Sequence, residues 1–450
     1  MTGIKTFLAT IAVRIRQDNI LSLLARGSTG SAALNVASYA LLFIISILLA
    51  RLLGAAGYGT YIYAISWSMV LGIPAALGLG RLAIRNVAAY HTRSDWSKIR
   101  GLLTWSTRIT LLSSGLTMII AAWCAYSLLT HENNETLRAF LMALLLLPIM
   151  ALTQLKQSAL QGLHHIVTGQ FPVMIFQPLV IIVFITIAFF YPQLQLSATS
   201  AVGINVTAAG LTLLLSIYLF NHIIPGIYRN SEASYEKSIW IRSAASMLVI
   251  SGLHIINSRT DVIMIGMLLN DNAVGIYNVA ARGSELILFF LAPISAALGP
   301  VITRLYTEED MERLQNIITL SSRILFLLSL PIALVLIIFG PLYLSLFGND
   351  FASGDTTLSI LCTGQLFNIA VGPVSLLLIM SRHEREAAIS LGTGAALNII
   401  LNSVLIPVWG IEGAALATIC SKTLWAIMMG FWAYKRIGVI PSIVGKFRTI

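Results

Sequence analysis

Residues 258–285 read S-R-T-D-V-I-M-I-G-M-L-L-N-D-N-A-V-G-I-Y-N-V-A-A-R-G-S-E. Two apolar runs flank a tight polar turn, Asn270-Asp271-Asn272, and four charges sit inside them: Arg259, Asp261, Arg282 and Glu285. A charge at such depth in lipid costs at least ~2.5–3.5 kcal/mol on insertion scales. The stretch is a membrane hairpin, and something inside the bilayer must offset its charges.

The rest of the chain fits that setting. It has 450 residues, 57% hydrophobic and only 10% charged, with a mean hydropathy of +0.86. Soluble globular chains carry about 25% charged residues, so this composition describes an all-α, polytopic membrane protein. A crossing needs about 20 mainly apolar residues. That rule gives about twelve spans: 31–53, 58–80, 102–128, 138–160, 171–191, 198–220, 239–269, 273–301, 321–347, 357–380, 387–408 and 411–434.

Charge placement orients them. With the N-terminus cytoplasmic, the inner segments hold 22 of the 28 Lys and Arg residues, from Lys5, Arg14, Arg16 and Arg26 to Lys435, Arg436, Lys446 and Arg448. The outer turns are short and several are acidic, with Glu132, Glu135, Asp271, Asp350, Asp355 and Glu412. Basic inner loops set topology, which puts both termini in the cytoplasm and leaves no room for an outer domain. The net charge of +10 therefore needs no nucleic acid, and no basic, aromatic-interleaved soluble domain is present to bind one.

The expected organisation is an interfacial cytoplasmic helix over 1–30, with Ile4, Leu8, Ile11 and Ile15 on one face. Six spans follow over 31–222, then a polar linker at 223–238, six more spans over 239–434, and a tail at 435–450. A repeat crosses the linker. Leu53 precedes Gly59-Thr60-Tyr61-Ile62-Tyr63-Ala64, and Leu269 precedes Gly275-Ile276-Tyr277-Asn278-Val279-Ala280, with Leu and G-x-Y-x-x-A both offset by 216 residues. Six spans apart means the same orientation, so the repeat is parallel about an axis along the membrane normal. Pro74 and Pro293 fall in the second helix of each half, and Pro148, Pro178, Pro331 and Pro373 fall inside other spans, where kinks are expected.

Several chemistries are disfavoured. Cys124, Cys362 and Cys420 sit alone in apolar runs, with no metal-ligand or disulfide spacing. There is no G-x-x-x-x-G-K-[ST] phosphate loop. No catalytic grouping stands in a loop of useful size, so neither an enzyme nor a cofactor is expected.

The intramembrane charges remain. Arg259 and Asp261 lie about ten and eight residues inside the outer end of the seventh span, Arg282 and Glu285 about nine and twelve inside the eighth, and Lys422 about eleven inside the twelfth. At 1.5 Å per residue all five fall in a slab of roughly 6 Å near mid-membrane. Pairing Arg282 with Glu285 and Arg259 with Asp261 would satisfy the acids and leave one cation over. Buried cations in helices lining a cavity usually mark a substrate or ion path. Arg259, Arg282 and Lys422 are the candidate phosphate-binding cations, and Asp261 and Glu285 the candidate coupling acids. Arg51, Arg81 and Arg85 are candidate gate or guide residues, and Asn368, Asn398 and Asn402 candidate sugar contacts.

Residues 49–61, L-A-R-L-L-G-A-A-G-Y-G-T-Y, and 78–88, G-L-G-R-L-A-I-R-N-V-A, resemble the opening of bacterial polysaccharide-unit (O-antigen and exopolysaccharide) flippases. R-T-D-V-I-M-I-G (259–266), G-I-Y-N-V-A-A-R-G-S-E (275–285) and W-G-I-E-G-A-A-L-A-T (409–418) resemble their second half. These belong to the multidrug/oligosaccharidyl-lipid/polysaccharide exporter superfamily. The resemblance implies two six-helix bundles around a central cationic cavity, in the bacterial inner membrane. It implies movement of undecaprenyl-pyrophosphate-linked oligosaccharide to the periplasmic leaflet by alternating access, for lipopolysaccharide or other surface polysaccharide. Membrane lipids, a polysaccharide polymerase and a chain-length regulator are the implied partners, with proton or sodium coupling in some members. Two other classes fit less well: a drug or cation antiporter, which wants excess acid in its cavity, and a lipid-linked sugar polymerase or ligase, which wants a large outer loop.

Overall fold

The computed structural model describes residues 19–129, 134–190, 196–443 and 445. Residues 1–18 lie outside them, so most of the expected interfacial helix is not described, nor are Glu132, Lys446 and Arg448. Among the described residues there is no strand.

The first half runs through α1 (Asn19–Ala76), α2 (Leu79–Thr92), α3 (Trp96–Leu129), α4 (Asn134–Leu144), α5 (Leu146–Gly162), α6 (Ile166–Phe171), α7 (Gln177–Phe190) and α8 (Ala198–Ile223). A short α9 (Gly226–Asn230) lies in the linker. The second half holds α10 (Lys237–Leu268), α11 (Asp271–Glu285), α12 (Leu291–Thr307), α13 (Met311–Ile338), α14 (Gly340–Ser345), α15 (Asp355–Ala370), α16 (Val374–Met380) and α17 (Glu384–Ile437).

Nine described segments are long and apolar enough to cross a membrane; a tenth is the pair 271–288 and 291–307, bent by 42°. The sequence predicts about twelve separate spans. The difference lies in α1 and α17, each of which absorbs two expected spans. Each is interrupted by one glycine outside helical geometry, Gly54 (φ 66°, ψ 179°) and Gly410 (φ 59°, ψ −136°), conformations that other residues reach only with strain. At Gly410 the chain reverses. A Cβ on Gly413 would overlap the carbonyl of Leu405, and Asn398 Nδ2 donates to Ser421 Oγ at 3.3 Å. Residues 23 apart in a straight helix would sit about 34 Å from one another, so the two arms of α17 lie side by side.

Three of the six prolines placed inside spans open helices rather than kink them. Pro74 lies two residues before the end of α1, Pro148 and Pro293 are third residues of α5 and α12, Pro178 is the second residue of α7, and Pro373 caps α16. At the starts of α5, α12 and α16 the missing N–H costs nothing, whereas Pro74 lies inside α1 and Pro178 follows the π-helical turn Pro172–Phe176 without a break, so each removes a backbone donor. Pro331 sits inside α13.

Packing joins the halves. The largest buried cluster draws Leu49, Tyr58 and Ile62 from α1 together with Val262, Ile265, Tyr277 and Val279 from α10 and α11. The linker is anchored on α3: Lys98 Nζ lies 2.8 Å from Glu236 Oε1, and Ser234 N donates to Ser97 O at 3.1 Å. Beyond α17 the tail straps back across α13, with Ile440 N donating to Gln315 Oε1 at 2.7 Å and Arg323 Nε to Ile443 O at 3.0 Å.

Candidate functional site

The hairpin of residues 258–285 is α10 turning into α11. Asn270 is the N-cap of α11, its Oδ1 accepting from Ala273 N at 2.9 Å. That bond satisfies one of the donors every helix start exposes. It sets the register that carries Arg259 and Asp261 on one arm and Arg282 and Glu285 on the other.

Asp261 is 8% exposed and sits in a neutral cage. Its Oδ2 accepts from Thr418 Oγ1 at 2.6 Å and Tyr277 OH at 3.0 Å, and its Oδ1 from Asn402 Nδ2 at 2.8 Å. Asn402 Nδ2 also reaches Asn398 Oδ1 at 3.1 Å, and Asn398 donates on to Ser421. The cage is built from α10, α11 and both arms of α17. Bonds of this charge-assisted kind contribute about 1.5–3 kcal/mol each, enough to hold a carboxylate without a cation.

The cations are therefore left with little compensation. No ion pair among the described residues includes Arg259, Arg282 or Lys422; the pairs present are Lys98 with Asp95 and Glu236, Arg304–Glu308, Arg313–Asp310 and Arg436–Glu386. Neither Arg282–Glu285 nor Arg259–Asp261 forms. The Nε atoms of Arg259 and Arg282 are buried without a hydrogen-bond partner. All three cations feel the exposed Glu285 through space, Arg259 also feels Arg282, and Lys422 also feels Asp261. The five charges form one electrostatic group with a positive excess. An anion entering it would meet two guanidinium Nε donors that are buried and unpartnered.

The remaining candidates divide. Asn398 and Asn402 belong to the Asp261 cage. Asn368 stands apart, lining a cavity of about 320 Å³ with Ser295, Gly372 and Trp425. Arg51 is exposed, and its Nε donates to Leu346 O at 2.7 Å. Arg81 and Arg85 are exposed on α2, which follows a break at Leu77 (φ 49°) and Gly78 (φ 69°), so they leave the second span altogether.

Sequence reading missed Tyr277, Thr418 and Ser421, which complete the cage. Tyr277 was visible as the Tyr of the repeat, and Thr418, Ser421 and Lys422 share one helical face by their spacing of three to four. Tyr277, Thr418 and Ser421 are neutral, so burying them carries no energetic signal in the sequence.

The repeat is a physical contact. A Cβ on Gly59 would overlap the carbonyl of Asp271, and one on Gly275 the carbonyl of Ala55. Those two carbonyl residues are themselves 216 apart, so the contact is symmetric between the halves. The mirror tyrosine, Tyr61, accepts from Asn205 Nδ2 at 2.9 Å, and Asn205 Oδ1 accepts from Gln177 at 3.3 Å. This first-half network carries no charge.

The fold is shared with solved transporters. An inward-facing multidrug resistance MATE family transporter of the MOP superfamily superposes with a TM-score of 0.72 at 16% identity, over 89% of this chain and 94% of that one. A MOP superfamily transporter from Pyrococcus furiosus, described by the reverse polarity of its binding pocket, gives 0.62 at 15% identity, over 92% and 95%. In sequence, the probable flippase AglR of Haloferax volcanii is 28% identical over 193 residues, 41% of this chain and only 40% of that protein's own length. A putative O-antigen transporter of Shigella flexneri is 23% identical over 425 residues, 90% and 96% of the two chains. A MatE profile matches residues 243–404. The profile described as polysaccharide biosynthesis protein matches residues 24–306, well over half the chain, and this protein belongs to that family.

Proposed function

We propose that this protein is a flippase that carries undecaprenyl-pyrophosphate-linked oligosaccharide units from the cytoplasmic to the periplasmic leaflet of the bacterial inner membrane. Alternating access of two six-helix bundles moves the substrate, both arms of α1 and of α17 cross the bilayer, and both termini are cytoplasmic. Arg259, Arg282 and Lys422 hold the pyrophosphate. Asn368 contacts the glycan, and Arg51, Arg81 and Arg85 guide the headgroup in and out. Asp261 is the coupling acid for protons or sodium, with Glu285 tuning the cations. A polysaccharide polymerase and a chain-length regulator receive the product.

The observation that carries this reading is the pair of buried guanidinium Nε atoms without partners in a group of positive excess. A drug or cation antiporter would need the opposite excess. Depleting the protein in its native cell should leave complete lipid-linked repeat units on the cytoplasmic leaflet. Normal surface polymer after depletion would refute the proposal.

A further inference from the structure

At the end of the molecule that carries Gly54 and the Asn270 turn, the two halves meet in a seam. Its polar part is made by Thr60 Oγ1 and Thr136 Oγ1, which donate to Asp271 Oδ2 at 2.6 and 2.9 Å, and by Tyr58 OH, which donates to Asn278 Oδ1 at 3.1 Å. An apolar part comes from residues 340–354, which join α13 to α15. The sequence places 340–347 in the ninth span. In the structure α13 ends at Ile338, and the chain then folds into α14 and the 3-10 turn Asn349–Gly354. Phe347 and Phe351 of this connection are both 0% exposed.

What buries them is the first half. Phe347 meets Phe43 edge to face with ring centroids 5.7 Å apart, Phe351 meets Tyr58 at 6.2 Å, and the two phenylalanines are themselves 6.2 Å apart. Phe43 and Tyr58 stand on opposite sides of Gly54, so the pair fills the crook that the Gly54 bend makes in α1. Ring contacts attract without a directional polar bond, and they part without stranding a buried donor or acceptor. The exposed Arg51 adds a bond to the same connection, Nε donating to Leu346 O at 2.7 Å. The base of the connection belongs to the second half: Tyr343 OH donates to Val279 O at 3.0 Å, and a Cβ on Gly354 would lie 2.9 Å from Ile276 Cγ2. At the offset of 216, the mirror positions of Tyr343, Phe347 and Phe351 are Ser127, His131 and Glu135. The aromatic wedge is therefore not part of the duplicated scaffold.

We propose that Phe347 and Phe351 are the gate at the Gly54 end. Carried by the second half, they close the space between the halves while seated in the crook of α1, and that end opens only when they withdraw. The gate rests on the geometry above; what passes it rests on the flippase reading.

The test places spin labels at Ala56→Cys and Asp350→Cys, exposed positions on either side of the contact, with Cys124, Cys362 and Cys420 replaced by alanine. Distances are measured by electron paramagnetic resonance on the full chain in a lipid bilayer. Phe347→Ala combined with Phe351→Ala should raise the population at the longer distance about tenfold, because less apolar area is then gained by closing. Phe43→Ala empties the same seat from the α1 side and should act in the same direction, which keeps the test valid if the double variant fails to fold. Leu377→Ala removes an equally buried side chain from a separate cluster of the second half, and should leave the distance unchanged. Joining the two cysteines with a bifunctional methanethiosulfonate should stop movement of undecaprenyl-pyrophosphate-linked glycan in proteoliposomes, and reduction should restore it. The gate is overturned if the phenylalanine variants leave the distance unchanged, if Leu377→Ala opens the seam by the same factor, or if the joined protein still transports. Phenylalanine variants that open, in a protein whose parent moves no such lipid, would keep the gate and sink the flippase reading.

Discussion

Tyr61 and Tyr277 occupy the same place in the two halves, two residues beyond mirrored glycines that touch backbone to backbone. Tyr61 faces Asn205 and, through it, Gln177. Tyr277 faces Asp261 and Thr418. The first-half positions that mirror Arg259, Asp261, Arg282, Glu285 and Lys422 are Phe43, Ile45, Ser66, Met69 and Val206. Packing was duplicated and charge was not. The difference teaches which residues belong to the scaffold and which to the chemistry, because only the first kind needs to appear twice.

Four sets of substitutions can break or sharpen that division. The largest effect is expected at the scaffold. Gly59→Ala and Gly275→Ala each push a methyl group into a backbone carbonyl, which cannot rotate away, and each should cost about 3 kcal/mol. Thermal melts in detergent should show similar losses for both. A large loss at one site alone would argue against a symmetric seam.

Next come the charges, where the halves should differ. Arg282→Ala should reduce transport roughly 30-fold, the loss of about 2 kcal/mol of charge-assisted bonding, while Arg282→Lys keeps most of it. The mirror change, Ser66→Ala, should leave transport within about twofold, because the Ser66 hydroxyl is buried without a partner. Equal losses in reconstituted transport assays would mean that charge does not distinguish the halves.

A smaller effect separates the two tyrosine networks. Asp261→Asn keeps the shape of the cage but removes its charge, and should abolish the response of transport to an ion gradient while lowering stability by about 1 kcal/mol. Asn205→Ala should cost a similar amount of stability and leave the gradient response intact. If both variants respond alike, Asp261 is not the coupling acid.

The smallest effect lies where the halves are joined by the linker. Lys98, followed by the Tyr90 hydroxyl, holds the Glu236 carboxyl below its ordinary value near 4.5. A group whose value is depressed by folding stabilises above its unfolded value, and that gain is lost as pH falls through the folded one. Glu236→Gln should therefore lower the melting temperature slightly at pH 7 and leave it unchanged at the acid end. A deficit that persists in acid would show that the pair is not responsible.

Much of this was legible in the chain because hydropathy and charge are local properties. Span positions, the Asn270 turn and the depth of Arg259, Arg282 and Lys422 follow from counting residues along helices. The breaks were less legible. Gly54 and Gly410 end helices through positive φ, which composition alone does not announce, and Pro148, Pro293 and Pro373 start helices rather than kink them. The Asp261 cage was hidden for another reason: its donors come from three helical arms and are neutral, so only folding shows that Tyr277, Thr418 and Asn402 converge. The sequence left open a pairing of Asp261 with Arg259; the structure gives the acid to neutral donors and leaves the cation without an ion pair.

That release of the cations is the centre of the account, and equilibrium binding tests it most directly. The purified protein should bind undecaprenyl pyrophosphate at least tenfold more tightly than undecaprenol, a preference of about 1.4 kcal/mol or more. The variant with Arg259, Arg282 and Lys422 all changed to alanine should bind the two lipids alike. Equal affinity for both lipids in the parent protein, or an undiminished preference in the triple variant, would contradict it.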